Sequence, residues 1–396
     1  MNKDFYKNGI NPKTPTIVIT HTDLDGVGVS IITKYYLSNI IDTYYCDYNN
    51  VDDTIKNLFT HINNNPSDFE NTQLIIGDIS PREQESVDLI DNFSKDHLVL
   101  MIDHHSTSEW MNKYDWCSSK SELQSSDDPN TLYKRCGTWQ LQKVLFYLII
   151  EYYKLNKEQA VEDKFNINPD ELSRLEKFTH LVNEYDCWYW EKSYTKDAMR
   201  LNTLYYIMLS SDCTHPTINS SEYNFKVTNT KKPQHENTVY YCTIVQLQTP
   251  RDSFINYILD EIKYPSNELV LYRNSLSALV DEKLRNDNQI ILNVDKTKRE
   301  GIYTNPTKNI TYKFVYVYLD NKELSSKVGH YINQDLTYDF AVVINKDLNT
   351  ISFRGNKPNI DLSVIAKEID SKGGGHPAAA GCSAETFLSN TNIVLL

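Results

Sequence analysis

The sequence lacks any long apolar run. Its longest candidate, Val144–Ile150, has the length of a helix core, whereas a membrane-spanning helix needs about 18 or more apolar residues. The first residues, Met1–Tyr6, also lack the apolar segment that a secretory signal requires. These absences argue against a membrane partner, and we expect a cytoplasmic protein.

The sequence also lacks the cysteine patterns of disulfide-rich and zinc-stabilised folds. Its 7 cysteines are odd in number and widely spaced, and no C-x-x-C occurs. A disulfide framework or a structural zinc site would need closer and more regular spacing. Reduced thiols in a cytosolic protein are the simpler interpretation.

Basic residues are too few for a protein that grips long nucleic acid. There are 40 Lys and Arg against 53 Asp and Glu, which gives a formal net charge of -13. Affinity for a long duplex comes largely from neutralising its phosphates with a basic face. The balance argues against a long duplex as partner, but a small nucleotide in a local basic pocket, or metal ions among clustered carboxylates, remains compatible with it.

The 396 residues predict two or three domains. In the first half, short apolar runs alternate with helical stretches, which predicts a parallel sheet covered by helices, a doubly wound α/β fold. The predicted strands are Thr16–Thr20, Leu74–Gly77 and Leu98–Ile102, and the predicted helices are Gly28–Ser38, Pro81–Phe93, Thr138–Lys154 and Pro169–Val182.

The middle of the chain is less regular. Asp212–His235 is polar and is interpreted as a loop or insertion, and helices are predicted over Asp252–Ile262 and Glu268–Arg285. We therefore expect a catalytic domain over residues 1–210, an insertion and helical linker over 211–288, and a second domain over 289–396.

The last part of the chain predicts a smaller α/β domain. Its predicted strands are Ile290–Leu292, Tyr312–Tyr318, Phe340–Ile344 and Thr350–Phe353, and its predicted helices are Leu324–Ile332 and Leu362–Ile369. A cleft between this domain and the first would hold the active site.

Acidic residues follow each of the three N-terminal strands. The sequences are His21-Thr22-Asp23-Leu24-Asp25-Gly26, then Asp78, then Asp103-His104-His105. Carboxyl ends of parallel strands face one crevice, so these side chains can converge. A crowd of carboxylates needs a cation. Mixed carboxylate and imidazole ligands suit Mn²⁺, with Mg²⁺, Fe²⁺ and Zn²⁺ as competitors, and a pair of metals serves phosphoryl displacement.

Each segment alone has a simpler explanation. Asp23–Gly26 could cap a helix N-terminus, and a lone Asp78 could be a turn residue. A calcium loop is excluded, because Val27 and Lys34 stand where oxygen ligands are required. The three strand ends together favour a metal site.

These motifs resemble those of the DHH phosphoesterases. His21–Gly26, Asp78 and Asp103-His104-His105 are similar to the first three motifs, and Asp186 in Asn183–Trp188 to the fourth. Asp186 is identified by the resemblance alone.

The second domain resembles the DHHA1 substrate-binding domain. Gly373-Gly374-Gly375-His376-Pro377-Ala378-Ala379-Ala380-Gly381 is similar to its signature, and Ile351–Arg354 to its strand with a phosphate-binding arginine. A glycine run lets backbone N–H groups approach a phosphate.

The resemblance implies roles for these residues. One metal would be held by His21, Asp23 and Asp78, and the other by Asp25, Asp78, His104 and Asp186. Asp103 would orient a ligand histidine, and His105 would contact the scissile phosphate or protonate the leaving oxygen. Water activated by coordination would be the nucleophile. Arg354, Gly373, Gly374, Gly375 and His376 would hold one end of the substrate.

Within the family, the overall length and the opening motif most resemble the nanoRNase B-like branch, which implies an exonuclease acting on short RNA. The alternatives are hydrolysis of cyclic nucleotides, cyclic dinucleotides, linear dinucleotides or 3′-phosphoadenosine 5′-phosphate. A processive DNA exonuclease is less favoured because no segment resembles an OB-fold. A non-catalytic nucleotide-binding regulator is disfavoured because every expected ligand position is filled. Ser106 and Thr107 depart from many relatives, which leaves substrate selectivity open, and a homodimer is left open too.

Overall fold

The computed structural model describes residues 9–124, 132–163, 165–191, 196–209, 250–263 and 276–396. The polar stretch Asp212–His235 and the first part of the predicted helix Glu268–Arg285 lie outside the described residues. Within these ranges, no helix is both long enough and apolar enough to cross a bilayer.

The N-terminal domain is built on a parallel five-stranded sheet with the order β2-β1-β3-β4-β5. Its elements are β1 (Thr16–His21), α1 (Leu24–Tyr36), β2 (Ile40–Cys46), α2 (Val51–Asn64), β3 (Gln73–Gly77), α3 (Gln84–Phe93), β4 (Val99–Asp103) and β5 (Cys117–Ser119). The predicted doubly wound parallel sheet is therefore confirmed.

Both faces of this sheet are buried, which explains its continuous apolar strands. Val18 and Ile75 face a core formed with α1, whereas Ile19 and Ile76 face the core formed with α2 and α3. Alternate residues of a strand point to opposite faces, so each strand supplies both cores.

A helical layer follows the sheet. After the short antiparallel pair β6 (Leu123–Gln124) and β7 (Leu132–Tyr133) come α4 (Gly137–Leu155), α5 (Lys157–Glu162), α6 (Pro169–Asp186), α7 (Asp197–Leu209), α8 (Pro250–Lys263) and α9 (Leu276–Asn293). Residues of α4, α6, α7, α8 and α9 join the core on the α1 side of the sheet.

The helix α9 corrects one prediction. Ile290–Leu292 was expected to be a strand, but these residues form the last turn of α9. Three apolar residues cannot distinguish a strand from a helix by periodicity, and both Ile290 and Leu292 are exposed rather than buried in a sheet.

The C-terminal domain is a mixed seven-stranded sheet with the order β12-β13-β11-β10-β9-β8-β14. Its elements are β8 (Arg299–Thr304), β9 (Thr311–Tyr318), α10 (Ser325–Ile332), β10 (Phe340–Asn345), β11 (Thr350–Arg354), α11 (Leu362–Ile369), β12 (Gly374–His376), β13 (Ala379–Ser383), α12 (Ala384–Ser389) and β14 (Ile393–Leu395). The expected smaller α/β domain is confirmed, with β12 at one edge of its sheet.

Candidate metal centre and substrate cleft

The strand register brings the predicted site residues to one edge of the parallel sheet. Thr20 of β1 pairs with Gly77 of β3, which pairs with Ile102 of β4. The residues that follow in each strand are His21, Asp78 and Asp103. They therefore lie in one row at the carboxyl ends of three adjacent strands, where ligands of open α/β sheets bind.

Two groups of donor atoms meet at this edge. In the first, His21 Nδ1 lies 2.9 Å from Asp23 Oδ2 and 3.9 Å from Asp78 Oδ2. In the second, His104 Nε2 lies 3.0 Å from Asp78 Oδ1, 3.6 Å from Asp25 Oδ2 and 3.5 Å from Asp186 Oδ2. The structure thus brings together all six residues that were expected to be metal ligands.

Asp78 lies between the two groups. One carboxylate oxygen faces His104 and the other faces His21. Its backbone is in the left-handed region, with φ of 59°, which is uncommon for a residue other than glycine and costs free energy. This conformation places the carboxylate where a ligand shared by two cations would stand.

The electrostatics of the site favour bound cations. Burial, followed by the charges of Asp25 and Asp23, raises the pKa of both Asp78 and Asp186 well above its ordinary value. Within the described part of the chain, Oδ2 of Asp78 and Oδ2 of Asp186 are buried without a hydrogen-bond partner. Buried carboxylates of this kind need a cation among them, so the donor set fits divalent metal ions.

Asp23 caps α1, as one interpretation of the sequence allowed, and also faces the first group of donor atoms. Its Oδ1 accepts a hydrogen bond of 3.0 Å from the Gly26 N–H and caps α1, while its Oδ2 faces His21. Burial raises the pKa of Asp23, but the His21 imidazole outweighs it and the net pKa is lowered. The cap leaves one oxygen for a metal.

The N-terminus of α4 fixes Asp25. Its two carboxylate oxygens accept bonds of 2.6 Å and 2.8 Å from the N–H groups of Gly137 and Thr138. A helix N-terminus stabilises a negative charge. A Cβ on Gly137 would lie 2.9 Å from that of Asp78, so only glycine fits here. A helix over Thr138–Lys154 was predicted from the sequence, but its contact with Asp25 was not.

Asp103 orients His105 rather than the expected ligand histidine. Its Oδ1 accepts a 2.7 Å bond from His105 Nδ1 and a 2.8 Å bond from the His104 backbone N–H. Burial is again outweighed by the neighbouring imidazoles, which lower the pKa of Asp103. The carboxylate is therefore ionised and fixes the His105 ring.

Tyr48 is a further contact of His105 that the sequence analysis missed. Its hydroxyl lies 2.7 Å from His105 Nε2. Burial and the charges of Asp78 and Asp103 raise the pKa of Tyr48, so the phenol keeps its proton. Tyr48 follows β2, an edge strand without an apolar run, and no sequence signal pointed to it.

His376 of the second domain lies against His104 and His105. Its ring centroid is 4.7 Å from that of His105, in a stacked arrangement, and 4.9 Å from that of His104. Burial, and then the charges of His105 and His104, lower the pKa of His376 well below its usual value. A neutral His376 at this position completes the site from the opposite domain.

The three glycines before His376 differ in their surroundings. Gly374 and Gly375 line the cleft, and Gly375 has φ of 137°, which other residues rarely adopt. Gly373 instead packs against α11, where a Cβ would lie 2.3 Å from the carbonyl oxygen of Ala366. We therefore assign Gly373 to packing and not to substrate contact, which differs from the expectation.

Arg354 lies on the same face of the second sheet as His376. Both residues pair with Ala379 across β13, so their Cα atoms are roughly 10 Å apart. Nη2 of Arg354 donates to Ser326 Oγ and Nη1 to the Phe353 carbonyl. Burial lowers the pKa of Arg354 to about 10, so it stays a cation at neutral pH.

These groups surround a cavity of about 520 Å³ between the two domains. His21, Asp23, Asp25 and Asp186 line one side, and β11, β12 and β13 supply the other. Three cationic side chains line it as well, namely Arg82, Arg354 and Lys372. These side chains place local positive charge in a cleft whose wall also carries the acidic residues of the donor groups.

Residues 308–392 match the DHHA1 domain family. The chain is 24% identical over 366 residues to oligoribonuclease NrnB of Bacillus subtilis (strain 168), which covers 92% of this chain and 71% of that protein.

Similar solved structures include RecJ from Thermus thermophilus in complex with Mn²⁺, with 12% identity and a TM-score of 0.44 over 96% of this chain. This chain covers 51% of that RecJ chain. Another is an uncharacterised protein from Helicobacter pylori G27, with 18% identity and a TM-score of 0.38 over 93% of this chain and 92% of that one.

The DHHA1 match lies in the domain that carries Arg354 and His376, and the similarity to NrnB extends over both domains. It agrees with the motifs at the three strand ends. The chain therefore carries a DHHA1 domain, and over most of its length it resembles the nanoRNase B-like branch of the DHH phosphoesterases.

Proposed function

We propose that this protein is a two-metal-dependent phosphodiesterase that hydrolyses short RNA oligonucleotides to mononucleotides. The observation that carries the proposal is that Asp78 faces two groups of donor atoms at once. These groups lie beside a cleft to which Arg82, Arg354 and Lys372 contribute positive charge. The relative NrnB is named an oligoribonuclease. A cleft of about 520 Å³ suits a short substrate better than a long strand.

The donor atoms divide between two cations. His21, Asp23 and Asp78 would hold one, and Asp25, Asp78, His104 and Asp186 would hold the other. When bound, the cations would lower the pKa of the attacking water and offset charge on the phosphate. Mixed carboxylate and imidazole donors favour Mn²⁺, and Mg²⁺ is the alternative.

The chain's own residues would position and protonate the substrate. Asp103 holds Nδ1 of His105, which directs Nε2 to the cleft. We infer that His105 gives the Nε2 proton to the leaving oxygen and that Tyr48, which contacts this nitrogen, holds the ring until substrate displaces its hydroxyl. His376 would exclude water from the far side.

The proposal is tested by incubating the purified protein and Mn²⁺ with labelled RNA of two to twenty residues and with cyclic dinucleotides. We expect the highest kcat/KM for the shortest RNAs, with mononucleotides as products. Faster hydrolysis of long strands would contradict the proposal, preference for a cyclic dinucleotide would reassign the substrate, and binding without turnover would indicate a regulator.

Replacing Arg354 by alanine is expected to raise KM for a diribonucleotide by about 10- to 100-fold, with a smaller change in kcat. An arginine–phosphate contact is charge-assisted and bidentate, and it binds substrate and transition state alike. Arg354→Lys should recover only part of the loss. Arg299→Ala, a change of an exposed arginine in the same domain, is the matched control. An unchanged KM in Arg354→Ala would exclude this anchor.

A further inference from the structure

Trp188 has an unusual backbone next to the metal centre. It lies two residues after Asp186, just beyond α6, and its φ is 62°. A bulky residue other than glycine rarely adopts this left-handed conformation. Such strain persists where the surrounding structure maintains it, and it is concentrated at functional sites.

The indole of Trp188 is part of the cleft wall. It lines the cavity together with Tyr185 and Arg354, and its side chain is half-buried. Among the described residues, its ring neighbours His330 and Trp190 do not belong to the wall. His330 stacks on Trp188 with centroids 5.0 Å apart, and the Trp190 centroid lies 5.5 Å away. The indole is therefore held in place by aromatic rings while part of it faces the cavity.

The position of Trp188 relative to the charged groups defines what could contact it. Asp186 lies two residues before it on the metal side, and the Arg354 guanidinium carbon is 5.9 Å from the indole centroid. Trp188 thus stands between the group proposed to hold a cation and the group proposed to hold a phosphate. If Arg354 binds a phosphate of the substrate, the neighbouring indole is placed to contact the base of the same or the adjacent nucleotide.

We propose that Trp188 is a base-stacking residue, which holds one nucleobase of the substrate against the wall of the cleft. The inference rests on the proposed function. Stacking on an aromatic ring accepts any base, because every base has a π-face. The site would therefore bind short RNA without strong sequence preference, and purines more tightly than pyrimidines because their stacked area is larger.

The test compares three substrates and three variants. The substrates are the diadenylate pApA and the two analogues that each lack one base. The variants are Trp188→Ala, Trp188→Phe and Trp110→Ala; the last removes a tryptophan that is 45% exposed and does not line the cleft. Kinetics are measured with Mn²⁺ for all combinations.

Trp188→Ala is expected to raise KM for pApA by roughly 5- to 150-fold, which corresponds to the loss of one base–aromatic stack. The same loss should occur with one of the two analogues. With the other analogue, which lacks the stacked base, wild type and Trp188→Ala should have the same KM. Trp188→Phe should recover most of the affinity, and Trp110→Ala should behave as wild type.

A role in domain packing predicts a different result. If Trp188 only joins α6 to α10, its removal would affect both analogues equally, and this outcome would overturn the proposal. So would a loss confined to kcat. If Trp188→Ala does not fold, Trp188→Leu takes its place under the same criteria.

Failure of the proposed function would be seen separately. Wild-type protein that binds pApA without hydrolysing it would refute the phosphodiesterase but not the stacking residue. The comparison of analogues is then made on dissociation constants, with the same expected pattern and the same contradicting one.

Discussion

Asp78→Asn should lose hydrolysis by about 1,000-fold or more and, at the same time, stabilise the metal-free protein. The loss follows because Asp78 is the carboxylate proposed to bind both cations, and phosphoryl transfer of this type depends on both. The gain follows because an ionised Asp78 is buried among Asp25, Asp23 and Asp186. The neutral amide keeps the shape of the side chain and removes the repulsion.

The direction of the pH dependence follows from the raised pKa of Asp78. Its pKa in the folded protein lies above that of the unfolded chain, so the favourable contribution of the protonated form is complete below the unfolded pKa. It is lost as the pH rises through the folded pKa. Metal-free wild type should therefore melt at a lower temperature than Asp78→Asn at neutral pH, by a few degrees, and the gap should close in acid.

Thermal melts with and without Mn²⁺ separate this prediction from a simple loss of folding. Mn²⁺ should raise the melting temperature of wild type, since a ligand that binds only the folded state stabilises it, and should raise that of Asp78→Asn much less. Asp53→Asn, an exposed change on α2, is the control for a lost aspartate. An equal response of wild type and Asp78→Asn to Mn²⁺ would mean that Asp78 is not a ligand.

The second large effect is expected at His105. His105→Asn should lower kcat by about 100- to 10,000-fold, the usual range for removing a proton donor, and change KM little. The rise in melting temperature on adding Mn²⁺ should remain, because His105 is not among the proposed ligands. Disappearance of that rise would instead place His105 on a metal.

Two further substitutions test whether the loss of kcat depends on the hydrogen-bond partners of His105. Asp103→Ala removes the acceptor for Nδ1 and should resemble His105→Asn in kcat. Tyr48→Phe removes only the hydroxyl that contacts Nε2 and should reduce kcat/KM less than about tenfold, the value of an ordinary hydrogen bond. A Tyr48→Phe variant as inactive as His105→Asn would make Tyr48 itself the proton donor.

The positions of β1, β3 and β4 could be predicted because each is a mostly apolar run with an acidic residue at its end or shortly after it. Their convergence followed from the rule for parallel strands, and it holds for His21, Asp78 and His104. What could not be predicted depends on neighbours remote in sequence. Gly137 holds Asp25, and nothing near Gly137 in the sequence reveals this.

The errors have a similar cause. Strand β2 was not predicted because an edge strand need not be apolar. The position of Tyr48, which follows β2, was therefore not predicted either. Gly373 was assigned to substrate because it adjoins Gly374, although its Cα faces α11.

The contact between His376 and His105 has a genetic consequence. The two histidines come from distant parts of the chain, and β12 follows every residue proposed to bind metal. Arg82 also donates a hydrogen bond to the Lys372 carbonyl just before β12. A nonsense mutation anywhere upstream of β12 should therefore be a null allele for hydrolysis, even if the shortened product still carries every residue proposed to bind metal.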